Sequence, residues 1–193
     1  VALNAPLKND GEDAESFEKR KSVWKQQRKN ALDKHSETIK KAEMSSMALN
    51  TIGGGLGLVL FGSISNRLGR RGAFMLYHLG AFIMALLMFM VLIPNGASTT
   101  VLTIALPIFG FLTLGMHAGY AVYFPELYPT RLRGTGTGFC FNMGRVGSAI
   151  YLLIVAKLGW QADQASLYMA PVFLLGVWVA YMAPETKAQD LPE

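Results

Sequence analysis

The sequence predicts an all-α fold, a polytopic transmembrane helical bundle of five spans preceded by a polar segment. Two observations predict it. Charge is divided unevenly: residues 1–46 hold 10 of the 18 Lys and Arg and 8 of the 13 Asp and Glu, so the other 147 residues share 8 basic and 5 acidic side chains. Soluble domains carry about 25% charged residues, and a water-facing surface of that length cannot be built from so few. The second observation is that residues 44–66, 72–125 and 164–184 contain no Asp, Glu, Lys or Arg. A helix crossing a hydrocarbon layer about 30 Å thick needs about 20 apolar residues. These runs far exceed a barrel strand and do not alternate apolar with polar, so helix is the reading. An ordinary soluble enzyme is excluded.

The polar segment, residues 1–46, is expected to be helical from about Ala14 to Met44. It is rich in Glu, Lys, Gln and Ala, has no Gly or Pro there, and offers a break near Ser36. Phe17, Trp24, Ala31 and Ile39 form a thin apolar stripe, which suits a solvated helix packing lightly on the membrane body. Basic residues around Trp24 are interspersed with acids, so no nucleic-acid partner is expected.

The five spans are expected at residues 47–65, 72–93, 99–124, 135–156 and 166–183, with a short tail at 188–193. The connections, residues 66–71, 94–98, 125–134 and 157–165, are short, so consecutive spans are antiparallel. Arg67, Arg70 and Arg71 crowd the first connection and Arg131 and Arg133 the third, whereas the second has no basic residue and the fourth only Lys157. The excess of basic residues puts the first and third connections and the C-terminus in the cytoplasm, and residues 1–46 outside. Ten Lys and Arg in residues 1–46 pull the other way. Gly53 and Gly57, Gly115 and Gly119, and Gly134 and Gly138 have the small-residue spacing of closely packed membrane helices. The glycine run at 53–57 lacks the Lys-Ser/Thr of a phosphate loop.

Three short blocks carry a resemblance. The first connection reads Gly62-Ser-Ile-Ser-Asn66-Arg67-Leu-Gly69-Arg70-Arg71. The third reads Pro125-Glu126-Leu-Tyr-Pro129-Thr-Arg131-Leu-Arg133-Gly134-Thr-Gly136, and Pro184-Glu185-Thr-Lys187 follows the last span. In this order and spacing they resemble the motifs of the major facilitator superfamily, in its sugar-porter-like and organic-solute branch. Asn66 stands where that pattern usually has Asp, and Ala188 where the tail block has Gly. The resemblance covers residues 47–190 and implies that the spans correspond to helices eight to twelve of a twelve-helix transporter. Residues 1–46 would be an enlarged extracytoplasmic loop, and the chain, starting at Val1, a piece of a longer protein.

The resemblance further implies secondary active, alternating-access, ion-coupled transport, with two halves rocking about a central site for a small polar organic solute such as a sugar or organic acid. Arg67, Arg70, Arg71, Arg133, Glu126 and Glu185 would latch the cytoplasmic ends of the halves together; the alternative is that these arginines only anchor to headgroups. Glucose-type porters carry a Trp in a block that reads His117-Ala-Gly-Tyr-Ala121 here, which weakens a hexose.

Residues inside the spans supply solute-binding candidates. Arg145 is the one formal charge inside a span, and an intramembrane Arg normally faces protein or a wet cavity. His117, beside Tyr120 and Tyr123, could relay protons or bind solute; His78 is a weaker candidate. Asn142 could hydrogen-bond a solute or a neighbouring helix. Cys140 is the lone cysteine. No nucleophile–base set or metal-ligand spacing occurs, so neither enzyme activity, cofactor nor metal is expected. The implied partners are the lipid bilayer, the remaining helices of the same transporter and the solute, in the cell membrane. A five-span membrane scaffold or assembly partner remains the alternative reading.

Overall fold

The computed structural model describes residues 13–34 and 36–187. The expected tail at 188–193 lies outside these residues. The chain divides into two compact units at Ser46/Met47.

In the first unit, α1 spans Ala14–Lys34. Asp13 precedes it, accepting a hydrogen bond from the Ser16 backbone N–H at 3.3 Å, which satisfies one of the donors a helix start leaves free. The apolar stripe is covered by the helix's own cations. Lys21 lies 5.7 Å from the Phe17 ring centroid, and Arg28 lies 5.3 Å from that of Trp24. Cation–π contact explains how two exposed-face aromatics persist on so polar a helix. Of the stripe, the Ile39 side chain lies outside the description.

The second unit is built from helices alone among the described residues. Helix α2 (Ser36–Leu86) begins in the first unit, belongs to the second from Met47 on, and continues as a π-helical turn, Leu87–Leu92. The two expected first spans are therefore two helical limbs that meet directly at Gly69, with no loop between them. At Gly69 the backbone leaves the helix (φ 81°, ψ 169°), a region open essentially to glycine. Tyr77 donates to the carbonyl of Gly57 at 3.2 Å, and the Phe61 and Tyr77 rings lie 5.2 Å apart. Residues sixteen to twenty apart would lie about 24–30 Å apart on a straight helix, so the chain reverses at Gly69 into two antiparallel limbs.

After Ser98, whose hydroxyl accepts from the Val101 N–H, α3 (Thr99–Leu114) and α4 (Met116–Leu127) form the third pass with a joint at Gly115. Helix α5 spans Arg133–Leu158. Helices α6 (Ala162–Met169) and α7 (Pro171–Met182) make the last pass, interrupted at Ala170 because Pro171 cannot donate to the preceding turn. Among the described residues, four helical stretches are long and apolar enough to cross a membrane, and the first of them turns back at Gly69.

The core joins the α2 limbs to α3, α4 and α7. Phe61, Phe74, Tyr77 and Tyr123 are buried there, with Phe111 stacked on Tyr77 at 5.4 Å. Glycines permit the closest approaches. A Cβ on Gly53 would lie 1.9 Å from the Pro107 carbonyl oxygen, and one on Gly57 2.4 Å from that of Phe111. Gly115 and Gly119 likewise admit Tyr77 and Phe61. Gly134 and Gly138, expected to do the same, face open space; Gly136 instead receives the Tyr128 ring. Meanwhile Val59 and Leu153 are 77% and 70% exposed, two of many such side chains along every pass. Apolar surface so extensive suits lipid or further helices, not water.

Candidate functional site

One end of the bundle gathers the three motif blocks. The reversal at Gly69 makes Arg70 and Arg71 the first residues of a new helical limb, with backbone N–H groups that have no partner within the helix. Glu185, beyond α7, supplies one: its carboxylate accepts from Arg70 N at 2.8 Å and from Arg71 N at 3.1 Å. A carboxylate at a helix N-terminus also meets the positive end of the helix dipole. Gly69 is required twice over, since a Cβ there would lie 2.5 Å from Glu185 Oε2.

The Arg70 guanidinium meets Glu126 in a bidentate pair, Nη2 donating to Oε1 at 2.8 Å and Nε to Oε2 at 3.1 Å. Nη1 donates to Ser65 Oγ at 2.7 Å, and Thr186 Oγ1 donates to the same Glu126 carboxylate. The two charged side chains are only 16% and 15% exposed, so the pair is screened less than a surface ion pair. Tyr123 adds a further tie, its hydroxyl donating to the Pro184 carbonyl at 2.7 Å. Arg71 donates to the Tyr181 carbonyl and lies 5.4 Å from that residue's ring centroid.

Burial pushes the Glu185 carboxyl up. The N–H groups of Arg70, Lys187 and Arg71, with the Arg70 charge, outweigh that and hold it below its ordinary 4.5. It is ionised at neutral pH. The arrangement can therefore clamp three chain segments with contacts that are charge-assisted yet partly wet, and so breakable.

The Major Facilitator Superfamily model matches residues 35–192. The chain belongs to that superfamily. Among curated relatives, it is 33% identical over 153 residues to the inner membrane metabolite transport protein YgcS of Escherichia coli, covering 78% of this chain and 33% of that protein. It is 32% identical to the cis,cis-muconate transport protein of Acinetobacter baylyi, over 68% of this chain and 32% of the relative. It is 28% identical to the sialic acid transporter NanX of E. coli, over 65% and 31%. The chain thus spans about a third of the length of these relatives. No solved structure matches it. Family and relatives place it among integral membrane proteins of the transporter type, not among enzymes.

Of the superfamily motif residues, the structure brings together Arg70, Arg71, Glu126 and Glu185 about Gly69. Arg67, Asn66 and Arg131 are exposed at the same end. Arg133, grouped with Glu126 by its spacing, hydrogen-bonds Thr130 at 3.4 Å while Glu126 turns to Arg70. Gly62 faces open space, so close backbone approach within the chain is not what it provides. Ser65 and Thr186 were not singled out in the sequence; both sit inside the motif blocks, which was the available signal.

The intramembrane candidates are separated. His117 is exposed, hydrogen-bonded to the Leu114 carbonyl at 3.1 Å. Tyr120 turns inward, stacked between Phe74 and Phe124 and hydrogen-bonded to His78 at 3.1 Å. His78, the weaker candidate, is the buried one, and Gly176 makes room for its ring. Asn142 and Arg145 are exposed on α5, 3.4 Å apart, with Asn142 also donating to the Gly138 carbonyl.

Proposed function

We propose that this chain is a bundle of a secondary active, alternating-access transporter for a small polar organic solute, ion-coupled, corresponding to helices eight to twelve of a twelve-helix protein. The observation that carries the reading is the Arg70–Glu126 pair with Glu185 on the adjoining helix start, where the superfamily's motif residues meet. In this reading the Gly69 end of the bundle is cytoplasmic, together with the C-terminus and the tail at 188–193. Residues 1–46 are an extracytoplasmic loop, and the remaining helices of the transporter pack on the exposed passes.

An organic acid is the favoured solute class. Relatives named for muconate and sialic acid transport support it, as does an exposed intramembrane Arg145 beside Asn142. An isolated cation in hydrocarbon is costly, and an anionic solute or a carboxylate from another helix offsets that cost. His117, exposed on the third pass, is the second solute contact; Tyr120 acts indirectly, through the aromatic packing behind it. The test is solute uptake by the intact protein in proteoliposomes, with and without an imposed pH gradient. Accumulation of organic acids that collapses without the gradient supports ion-coupled transport. Uptake of none of a panel of sugars and organic acids under either condition overturns it.

A further inference from the structure

Beside the motif cluster, the second limb of α2, α4 and α7 border a partly open cavity of about 120 Å³. Arg71 is the only formal charge among its lining residues; neither Glu126 nor Glu185 lines it. Aromatic rings make one wall, with Phe74 stacked on Tyr120 at 5.0 Å and Tyr120 on Phe124 at 5.3 Å. Val179 and Ala180 of α7 make the other.

The polar groups in the walls are mostly committed. A carbonyl can only accept, so His78 Nδ1 carries the proton shared with the Phe74 carbonyl at 2.8 Å. In the neutral ring that leaves Nε2 to accept from the Tyr120 hydroxyl. The Tyr123 hydroxyl is given to Pro184. Water needs two to four polar partners in such a space, and the walls offer few. Arg71 differs: a guanidinium has five N–H donors, and among the described residues it forms no ion pair, giving a hydrogen bond to the Tyr181 carbonyl. One cation on an apolar, ring-lined chamber calls for an anion with a flat apolar body. An apolar cavity of about 150 Å³ accommodates benzene, so this smaller but partly open chamber holds at most one six-membered ring, with any carboxylate on it lying toward the open side.

We propose that this cavity binds a small aromatic monocarboxylate of benzoate size, its carboxylate on Arg71 and its ring against Phe74, Tyr120 and Phe124. The site is separate from the exposed Asn142–Arg145 face and does not depend on the transport reading. Because Glu185 holds the Arg71 backbone N–H, the bound anion adjoins the Arg70–Glu126 cluster and would bear on its opening.

The test is titration of the intact protein in phosphatidylcholine nanodiscs with 4-fluorobenzoate, followed by fluorine NMR. Saturable binding is expected, weakened at least about tenfold in Arg71→Gln, since hydrogen bonds to a charged group are lost. Val179→Phe fills the chamber from a half-exposed position without touching Arg71, and should abolish binding at an unchanged melting temperature. It decides the matter if Arg71→Gln does not fold. Benzamide, the neutral isostere, should bind more weakly than benzoate. Binding that is absent, or that survives Val179→Phe, overturns the proposal. So does binding lost when phosphatidylglycerol replaces part of the phosphatidylcholine, which would assign Arg71 to a lipid phosphate.

Discussion

The carboxylate of Glu185 occupies the space that a side chain on Gly69 would need: an added Cβ would lie 2.5 Å from its Oε2 and 3.0 Å from its Cδ. Two segments 116 residues apart thus fit only because one of them has no side chain. Gly69→Ala is expected to act twice, by straining a backbone at φ 81° and by displacing Glu185 from the Arg70 and Arg71 N–H groups. Backbone strain of this kind costs about 1–3 kcal/mol. The variant should melt several degrees lower in detergent, and an unchanged melting curve would refute the double requirement.

The Arg70–Glu126 pair should be worth more than a surface ion pair, because it is bidentate and about five-sixths covered. Exposed pairs contribute about 0–1 kcal/mol, whereas removing one partner of a buried pair costs about 3–5 kcal/mol. We expect Arg70→Gln and Glu126→Gln each to destabilise by an intermediate amount, and the double variant by less than their sum. A double-mutant cycle on denaturation midpoints measures the coupling; additivity would mean the contact contributes nothing. In the transport reading, Glu126→Gln also slows uptake while membrane insertion is intact, and unchanged uptake kinetics would remove the latch role.

The helical membrane-bundle class was legible in the sequence, while the contacts between helices were not. Charge-free runs report burial in lipid, and the arginines clustered at 67–71 flank the residue where α2 turns back, Gly69. Helix rotation is different. A lipid-facing side is as apolar as a helix-facing one, so hydrophobic pattern does not fix which face turns inward. Hence His117 looked more promising than His78, although the structure exposes the first and buries the second. Partner choice was also hidden: Glu126 lies seven residues from Arg133 but pairs with Arg70, brought to it by the Gly69 reversal. Small-residue spacing marked Gly53 and Gly134 alike, yet only Gly53 has a neighbour in close contact.

Acid should open the Glu185 contact only well below neutrality. Its carboxyl is held below 4.5 in the folded protein, so the contact's stabilisation is present in full above the ordinary carboxylate range. It is lost as the pH falls through the depressed folded value. The melting temperature should therefore show no Glu185-dependent change between pH 7 and about 5, and Glu185→Gln should flatten part of the fall at lower pH. A Glu185-dependent transition between pH 6 and 7 would contradict the hydrogen bonding around this carboxylate.

Two glycines two residues apart on α2 separate packing from propensity. A Cβ on Gly53 would meet the carbonyl oxygen of Pro107 at 1.9 Å and that residue's Cα at 2.5 Å. These are backbone atoms that no rotamer change can withdraw, so α2 and α3 must move apart. Gly55, two residues later, meets nothing within 4 Å. Gly53→Ala should accordingly destabilise by about 1–3 kcal/mol, the usual range for overpacking. Gly55→Ala should be neutral or stabilise by up to about 1 kcal/mol, since alanine loses less backbone freedom in a helix. Parallel thermal melts of both variants in one detergent compare them directly. Equal effects would mean that the α2–α3 contact does not depend on Gly53, and that close approach of the two helices is not what selects glycine there.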